Sequence, residues 1–306
     1  MLRQLLLYLS SAGWSRKIVT HWGGARRVAR RFVAGETLDE AIDTARSLNQ
    51  KGLLVTLNYL GENVVRAEET ADVVAAYQTL VQQIHSHQLR ASVSVKPSQL
   101  GLDIGEELCL TNLRQILAAA QQHQVPVTID MEGSNHTEAT LRLYRTLRDE
   151  GFDNAGTVIQ AYLYRSEDDM RQLAAEGAHI RLCKGAYLEP PEIAFPAKAD
   201  VDANYVRLAR LYLTESTRAY LCLATHDEQM IQAAQAIIRE HQIAPERYEY
   251  QMLLGVRTDR QAELAAAGYK MRVYVPYGEA WYPYFMRRLA ERPANVLFFL
   301  RALFGG

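Results

Sequence analysis

Apolar positions along this chain follow two rhythms that take turns. Short, nearly continuous runs rich in Val, Ile and Leu give way to longer stretches in which apolar residues recur with helical spacing. The first rhythm suits a buried strand, the second one face of a helix. Strands are predicted over 53–57, 91–95, 125–129, 157–161, 179–183, 219–224, 248–253 and 271–275. Helices are predicted over 67–87, 106–123, 137–150, 167–176, 202–216, 228–241, from 259 onward, and over 280–291. Strand and helix alternate throughout, at near-regular spacing. That is the signature of a closed (βα)8 barrel of the TIM type, in the α/β class. A doubly wound open sheet would need a glycine-rich phosphate turn after its first strand, and Gly61-Glu62-Asn63 is not one.

Ahead of the barrel, residues 1–34 read as short amphipathic helices. Gly35-Glu36 breaks them. Thr37 then reads as an N-cap, with Glu40 placed to complete a capping box on a helix reaching Asn49. The expected division is an N-terminal helical arm (1–49), a catalytic barrel (50–295) with its last helix over the mouth, and an apolar tail (296–306).

Composition narrows the function classes. The chain has 306 residues, 48% hydrophobic and 23% charged, which suits one large barrel. Basic and acidic residues number 34 and 35, so composition makes no case for a nucleic-acid partner. Arg26, Arg27, Arg30 and Arg31 form one basic cluster beside apolar residues. A solvated face is the first reading of it, and contact with an acidic membrane surface the second. Cys109, Cys183 and Cys222 lie far apart, with no disulfide framework or CxxC pair, as expected in a reducing, cytoplasmic setting. The apolar run at 5–9 is too short for a signal peptide, and no run approaches the roughly 20 residues of a spanning helix.

In a barrel of this kind the C-terminal ends of the strands share one mouth, where chemistry gathers. Those ends carry Lys96, Asp130, Gln160, the segment 181–187, His226, Leu253 and Tyr274. Arg181 and Lys184 are costly to bury unless something anionic pairs with them. On the last helix Tyr284, Arg287 and Arg288 share one face, and two adjacent guanidinium groups can fork a carboxylate or a phosphate. The aromatic residues around them suggest a lid over a small, partly apolar anion. No metal site is expected: His85-Ser86-His87 precedes the second strand, at the wrong rim, and no second cluster adds ligands. A Schiff-base lyase using Lys96 or Lys184 would fit the same barrel, as would an amino-acid sensor without catalysis.

Several motifs, in order, carry a resemblance. They are Val93-Ser94-Val95-Lys96, Asp130-Met131-Glu132, Val158-Ile159-Gln160-Ala161-Tyr162, Arg181-Leu182-Cys183-Lys184-Gly185-Ala186-Tyr187, Ala224-Thr225-His226-Asp227, Tyr248-Glu249-Tyr250-Gln251-Met252-Leu253, Arg272-Val273-Tyr274-Val275-Pro276 and Tyr284-Phe285-Met286-Arg287-Arg288-Leu289-Ala290-Glu291. Together they resemble the FAD-dependent proline dehydrogenases, in particular the single-function bacterial form, over about residues 50–295. The resemblance implies a distorted (βα)8 barrel that oxidises L-proline to Δ1-pyrroline-5-carboxylate and passes electrons to a quinone, the first step of proline catabolism to glutamate. It implies that Arg287 and Arg288 hold the proline carboxylate, and that Lys96 and Asp130 lie beside the substrate. Tyr187, Leu253, Tyr274 and Tyr284 would wall the proline ring. Arg181 would reach the reactive edge of the flavin. Gln160, Cys183 (through its backbone), Gly185, Ala186, Lys198, Thr225, His226 and Glu291 would hold FAD or buttress its site. A quinone acceptor implies peripheral contact with the inner face of the membrane; homo-oligomer formation stays open. Leu188 and Pro196-Ala197-Lys198 depart from the pattern of many relatives.

Overall fold

The computed structural model describes residues 29–61 and 64–291. Eight parallel strands close into a barrel in chain order: β1 (Leu54–Tyr59), β2 (Ala91–Val95), β3 (Val127–Ile129), β4 (Ala155–Gln160), β5 (His179–Cys183), β6 (Tyr220–Ala224), β7 (Tyr248–Leu253) and β8 (Met271–Tyr277). Helix α1 (Leu38–Gln50) precedes β1. A helix follows each strand: α2 (Ala67–Ser86), α3 (Glu106–Gln122), α4 (Ser134–Asp149), α5 (Ser166–Glu176), α6 (Lys198–Glu215), α7 (Glu228–Glu240), α8 (Thr258–Ala266) and α9 (Trp281–Glu291). The predicted capping box is present: Glu40 N–H donates to Thr37 Oγ1 at 3.3 Å and Thr37 N–H to Glu40 Oε2 at 3.1 Å.

Successive strand residues point to opposite faces, and the two faces of this sheet differ in kind. Val55, Leu57, Val93, Val95, Ile180, Leu182, Leu221 and Leu223 are fully buried in the main hydrophobic core. The alternate positions carry Thr56, Ser92, Ser94, Asp130, Arg181, Glu249 and Gln251, also buried, and the half-buried Arg272. These polar side chains lie inside the barrel. Arg181 on β5 bonds to residues of β2, β3 and β7, none of them a neighbouring strand, so the bonds must cross the interior. TIM-type interiors are usually filled by branched aliphatic layers; here a hydrogen-bonded polar layer takes their place.

Element boundaries differ from the sequence expectation where tertiary contacts intervene. β3 begins at Val127 rather than 125, because Pro126 has no N–H for the ladder and gives only its carbonyl, to Val93. β8 runs on through Pro276 to Tyr277, paired with Asn58 and Tyr59 of β1. Helix α4 starts at Ser134 rather than 137, since the carboxylate of Glu189, from the loop after β5, accepts from both Ser134 N–H and Oγ. Helix α6 starts at Lys198 rather than 202.

A second apolar cluster, holding Ala29, Phe32, Val33, Leu60, Val256, Trp281 and Phe285, ties the segment before α1 to α9 and to the loops after β1 and β7. Arg31 Nε donates to the Gly255 carbonyl at 3.3 Å, so part of the basic cluster is used in packing. Arg26, Arg27 and the tail 296–306 lie outside the described residues. Gly255 has φ +72°, and a Cβ there would come within 1.9 Å of the Arg31 carbonyl oxygen. Gly255→Ala is therefore expected to lower stability by about 1–3 kcal/mol through overpacking, read as a lower urea midpoint. An unchanged midpoint would mean the segment 29–34 does not seat on the barrel. Among the described residues, no helix is long and apolar enough to cross a membrane.

Candidate active site

The C-terminal ends of the strands open into one cavity of about 790 Å³. Its floor is the end of the polar barrel interior, and α9 lies over its mouth through Tyr284 and Arg288. Lys96, Asp130, Gln160, Arg181, Cys183, Gly185, Ala186, Tyr187, Lys198, Thr225, His226, Leu253, Tyr274, Tyr284 and Arg288 all line it. The structure thus brings the predicted set together, apart from Arg287 and Glu291, whose side chains lie outside the described residues.

Asp130 sits at the centre of the floor. Its Oδ1 accepts from Arg181 Nη1 at 2.6 Å and from Ser94 Oγ at 2.7 Å; its Oδ2 accepts from Tyr274 Oη at 3.1 Å and lies 3.8 Å from Lys96 Nζ. A carboxylate so engaged orients its neighbours. Arg181 is 8% exposed, with Nε on Gln251 Oε1 at 2.7 Å and its guanidinium 5.2 Å from the Tyr274 ring centroid. Its Nη2 is buried and finds no hydrogen-bond partner among the described residues. A buried donor on a cation left this way is costly, and it lies on a residue that lines the cavity.

The wall on the β5–β6 side is built differently. Lys184 Nζ is clasped by Asp202 and by Asp227, the latter at 2.7 Å, and Lys198 reaches the same two carboxylates from solvent. Burial opposes ionisation of Asp202 and Asp227, yet the hydrogen bonds and charge of Lys184 and Lys198 hold both below the usual carboxylate range. An ammonium shared by two carboxylates is poorly placed as a Schiff-base nucleophile. Burial pushes the Cys183 and Cys109 thiols up to about 12, which leaves them inert at neutral pH. His226 Nε2 accepts from Leu253 N–H at 3.0 Å, which places the proton of a neutral imidazole on Nδ1. Gly185 has φ +119°, and a Cβ would overlap the Tyr162 ring, so the loop carrying Tyr187 can lie flat only with glycine there.

The chain matches the proline dehydrogenase family over residues 41–301. It is similar to proline dehydrogenase 1 of Bacillus subtilis (strain 168), 46% identical over 99% of both chains. It is also similar to the proline dehydrogenase of Deinococcus radiodurans, 40% identical over 91% of both.

The chain belongs to the proline dehydrogenase family.

Among solved structures it is similar to proline utilization A from Bdellovibrio bacteriovorus inactivated by N-propargylglycine, with TM-score 0.82 and 26% identity. That likeness covers 92% of this chain and 34% of the other, longer one. The proline dehydrogenase barrel of this chain also contains polar residues that sequence reasoning passed over: the buried Ser94, Glu249 and Gln251 and the half-buried Arg272. A signal for them existed. In Tyr248-Glu249-Tyr250-Gln251-Met252-Leu253, period-2 alternation sets Glu249 and Gln251 on one face and Tyr248, Tyr250 and Met252 on the other.

Burial, aided by Arg272 and Arg181 and opposed by Glu249, pushes the His179 imidazole from 6.5 down to about 4. Folded protein keeps His179 neutral at pH values where the unfolded chain protonates it. Its contribution is therefore complete above about pH 6.5 and is lost as pH falls towards 4. The urea midpoint of the parent should drop between pH 7 and pH 5, and His179→Phe should flatten that drop. An equal drop in both proteins would assign the slope to other groups.

Proposed function

We propose that the cavity binds FAD and L-proline together and oxidises proline to Δ1-pyrroline-5-carboxylate, with the electrons leaving to a quinone. The observation that carries this reading is Arg181: a buried guanidinium on the cavity wall whose Nη2 has no hydrogen-bond partner among the described residues. The donor set fits a flavin, whose ring edge offers acceptors and gains negative charge on reduction. The cavity, at about 790 Å³, also exceeds what a small amino acid fills.

FAD would supply the hydride acceptor. The remaining work falls to side chains of this chain. Two hydrogens leave proline, one as hydride from C5 and one as a proton from the ring nitrogen. Arg287 and Arg288 would fork the carboxylate, and so set the ring position by orientation rather than by added binding. Tyr187, Leu253, Tyr274 and Tyr284 would wall the ring and exclude water, with Lys96 and Asp130 beside it. Arg181 would direct its Nη2 at the flavin edge where charge develops. Gln160, the Cys183 backbone, Gly185, Ala186, Lys198, Thr225, His226 and Glu291 would hold the rest of FAD. A quinone acceptor would bring the basic cluster at 26–31 and the tail at 296–306 near lipid. Purified protein that ignores anionic liposomes at low salt would remove that contact.

Anaerobic titration with L-proline tests the reading. The purified protein should be yellow and its flavin bands should bleach with L-proline, but not with D-proline or glutamate. A yellow protein that does not bleach would discard proline. A protein that remains colourless after FAD is added would discard the flavin.

A further inference from the structure

Beneath Arg181 the barrel interior holds a chain of buried and half-buried polar groups that the reaction scheme above does not use. Gln251, which also lines the cavity, accepts from Arg181 Nε through Oε1 at 2.7 Å and donates through Nε2 to Glu249 Oε1 at 2.6 Å. Glu249 is gripped by Arg272, Nε to Oε1 at 2.5 Å and Nη2 to Oε2 at 3.0 Å, and its Oε2 accepts from Tyr220 Oη at 3.1 Å. Arg272 Nη1 is anchored in turn on the Val55 carbonyl at 2.8 Å and on Ser92 Oγ at 3.2 Å. Burial opposes ionisation of Glu249, but the charge and hydrogen bonds of Arg272 hold its carboxyl down to about 2. It is an anion at any working pH.

We infer that Gln251, its amide locked by Glu249 and Arg272, is the positioning residue that fixes the plane of the Arg181 guanidinium without adding a second carboxylate to it. A glutamine amide can sit either way round. Here a carboxylate, which only accepts, faces one end, and an Arg N–H, which only donates, faces the other. One orientation satisfies both; the flipped one sets oxygen against oxygen and N–H against N–H. Arg181 is then held at two different nitrogens, Nε by Gln251 and Nη1 by Asp130 and Ser94. Two anchors on a rigid planar group determine its plane, and Nη2 is the arm left over. The interposed amide matters. Asp130 already balances Arg181; Glu249 in direct contact would hold it equally well but would add a second carboxylate and turn the pair net negative beside a flavin that gains charge on reduction. Branched aliphatic layers would fill the same space without the desolvation cost of a buried ion pair, so the brace has a use beyond filling the barrel.

This inference rests on the flavin reading, and the test separates the two. The double swap Glu249→Gln with Gln251→Glu conserves net charge but moves the anion from Arg272 to a place directly on Arg181 Nε. The holoprotein should retain its FAD and bind cyclopentanecarboxylate, a non-oxidisable ring carboxylate, like the parent. Against a reference dye its flavin should shift towards the oxidised form by about tenfold, about 30 mV for a two-electron couple. Proline-driven bleaching should slow at least as much. Gln251→Leu, which frees the guanidinium plane, should slow bleaching with the ligand affinity again unchanged. Parent potential and parent rate in the double swap would overturn the inference, as would a loss of FAD, ligand affinity and rate all in equal measure. A parent protein that takes up no flavin would end the underlying reading and this inference with it.

Discussion

Asp130→Ala is expected to lose roughly 3–5 kcal/mol of folding stability, because it strands Arg181 as an uncompensated charge in the barrel. The carboxylate takes bonds from Arg181 at 2.6 Å, Ser94 at 2.7 Å and Tyr274 at 3.1 Å, and it is 7% exposed. Urea unfolding of Asp130→Ala should show the loss as a lower midpoint at unchanged slope. The companion variant Asp130→Leu with Arg181→Met removes both charges and should recover most of the stability, since well-packed apolar groups can replace a buried pair at little cost. It should not recover proline oxidation. A single variant as stable as the parent would mean that Arg181 finds another counter-charge.

Arg288→Met should weaken proline binding with FAD retained. Arg288 lines the cavity from α9, its guanidinium stacked 5.1 Å from the Tyr284 ring centroid. One charge-assisted contact to a carboxylate is worth roughly 1.5–3 kcal/mol, which corresponds to about a tenfold to hundredfold loss of affinity. Arg287→Met should behave alike, and the double variant should lose less than the product of the two, because both would grip one carboxylate. Flavin content should stay at the parent value throughout. Unchanged proline affinity in Arg288→Met would take Arg288 out of the clamp, and a loss of FAD would move it to the cofactor side of the cavity.

Much of the site was legible because barrel topology is generous to sequence reading. Once strands are located, their C-terminal residues must share a mouth, and Lys96, Asp130, Gln160, Arg181, His226, Leu253 and Tyr274 follow from position alone. The helix face shared by Tyr284 and Arg288 followed from their spacing. Less legible were residues whose role depends on what lies across the barrel. Ser94 reads as an ordinary strand serine until Asp130 and Arg181 are set against it. Glu249 and Arg272 have no assigned role until closure turns their strand face inward. Lys184 looked like a candidate nucleophile until Asp202, from α6, and Asp227, from the end of β6, closed on it. Glu189 reads as a loop carboxylate, yet it caps α4 from a distance of 55 residues along the chain.

By itself the sequence determined the order of strands and helices, the capping box before α1 and the residues at the strand ends. These depend on periodicity and on neighbours a few positions away, which a linear reading contains. Closure decided the rest. The bonds that define the floor join Arg181 to Asp130, Gln251 and Ser94 across separations of 51, 70 and 87 residues. Period-2 alternation gives β2 and β7 a polar face, but in an open parallel sheet that face would lie under helices. Only when β1 pairs with β8 does it become an interior. There desolvation makes each unpaired charge costly, and the protein meets that cost with one connected network that ends at Arg181 Nη2.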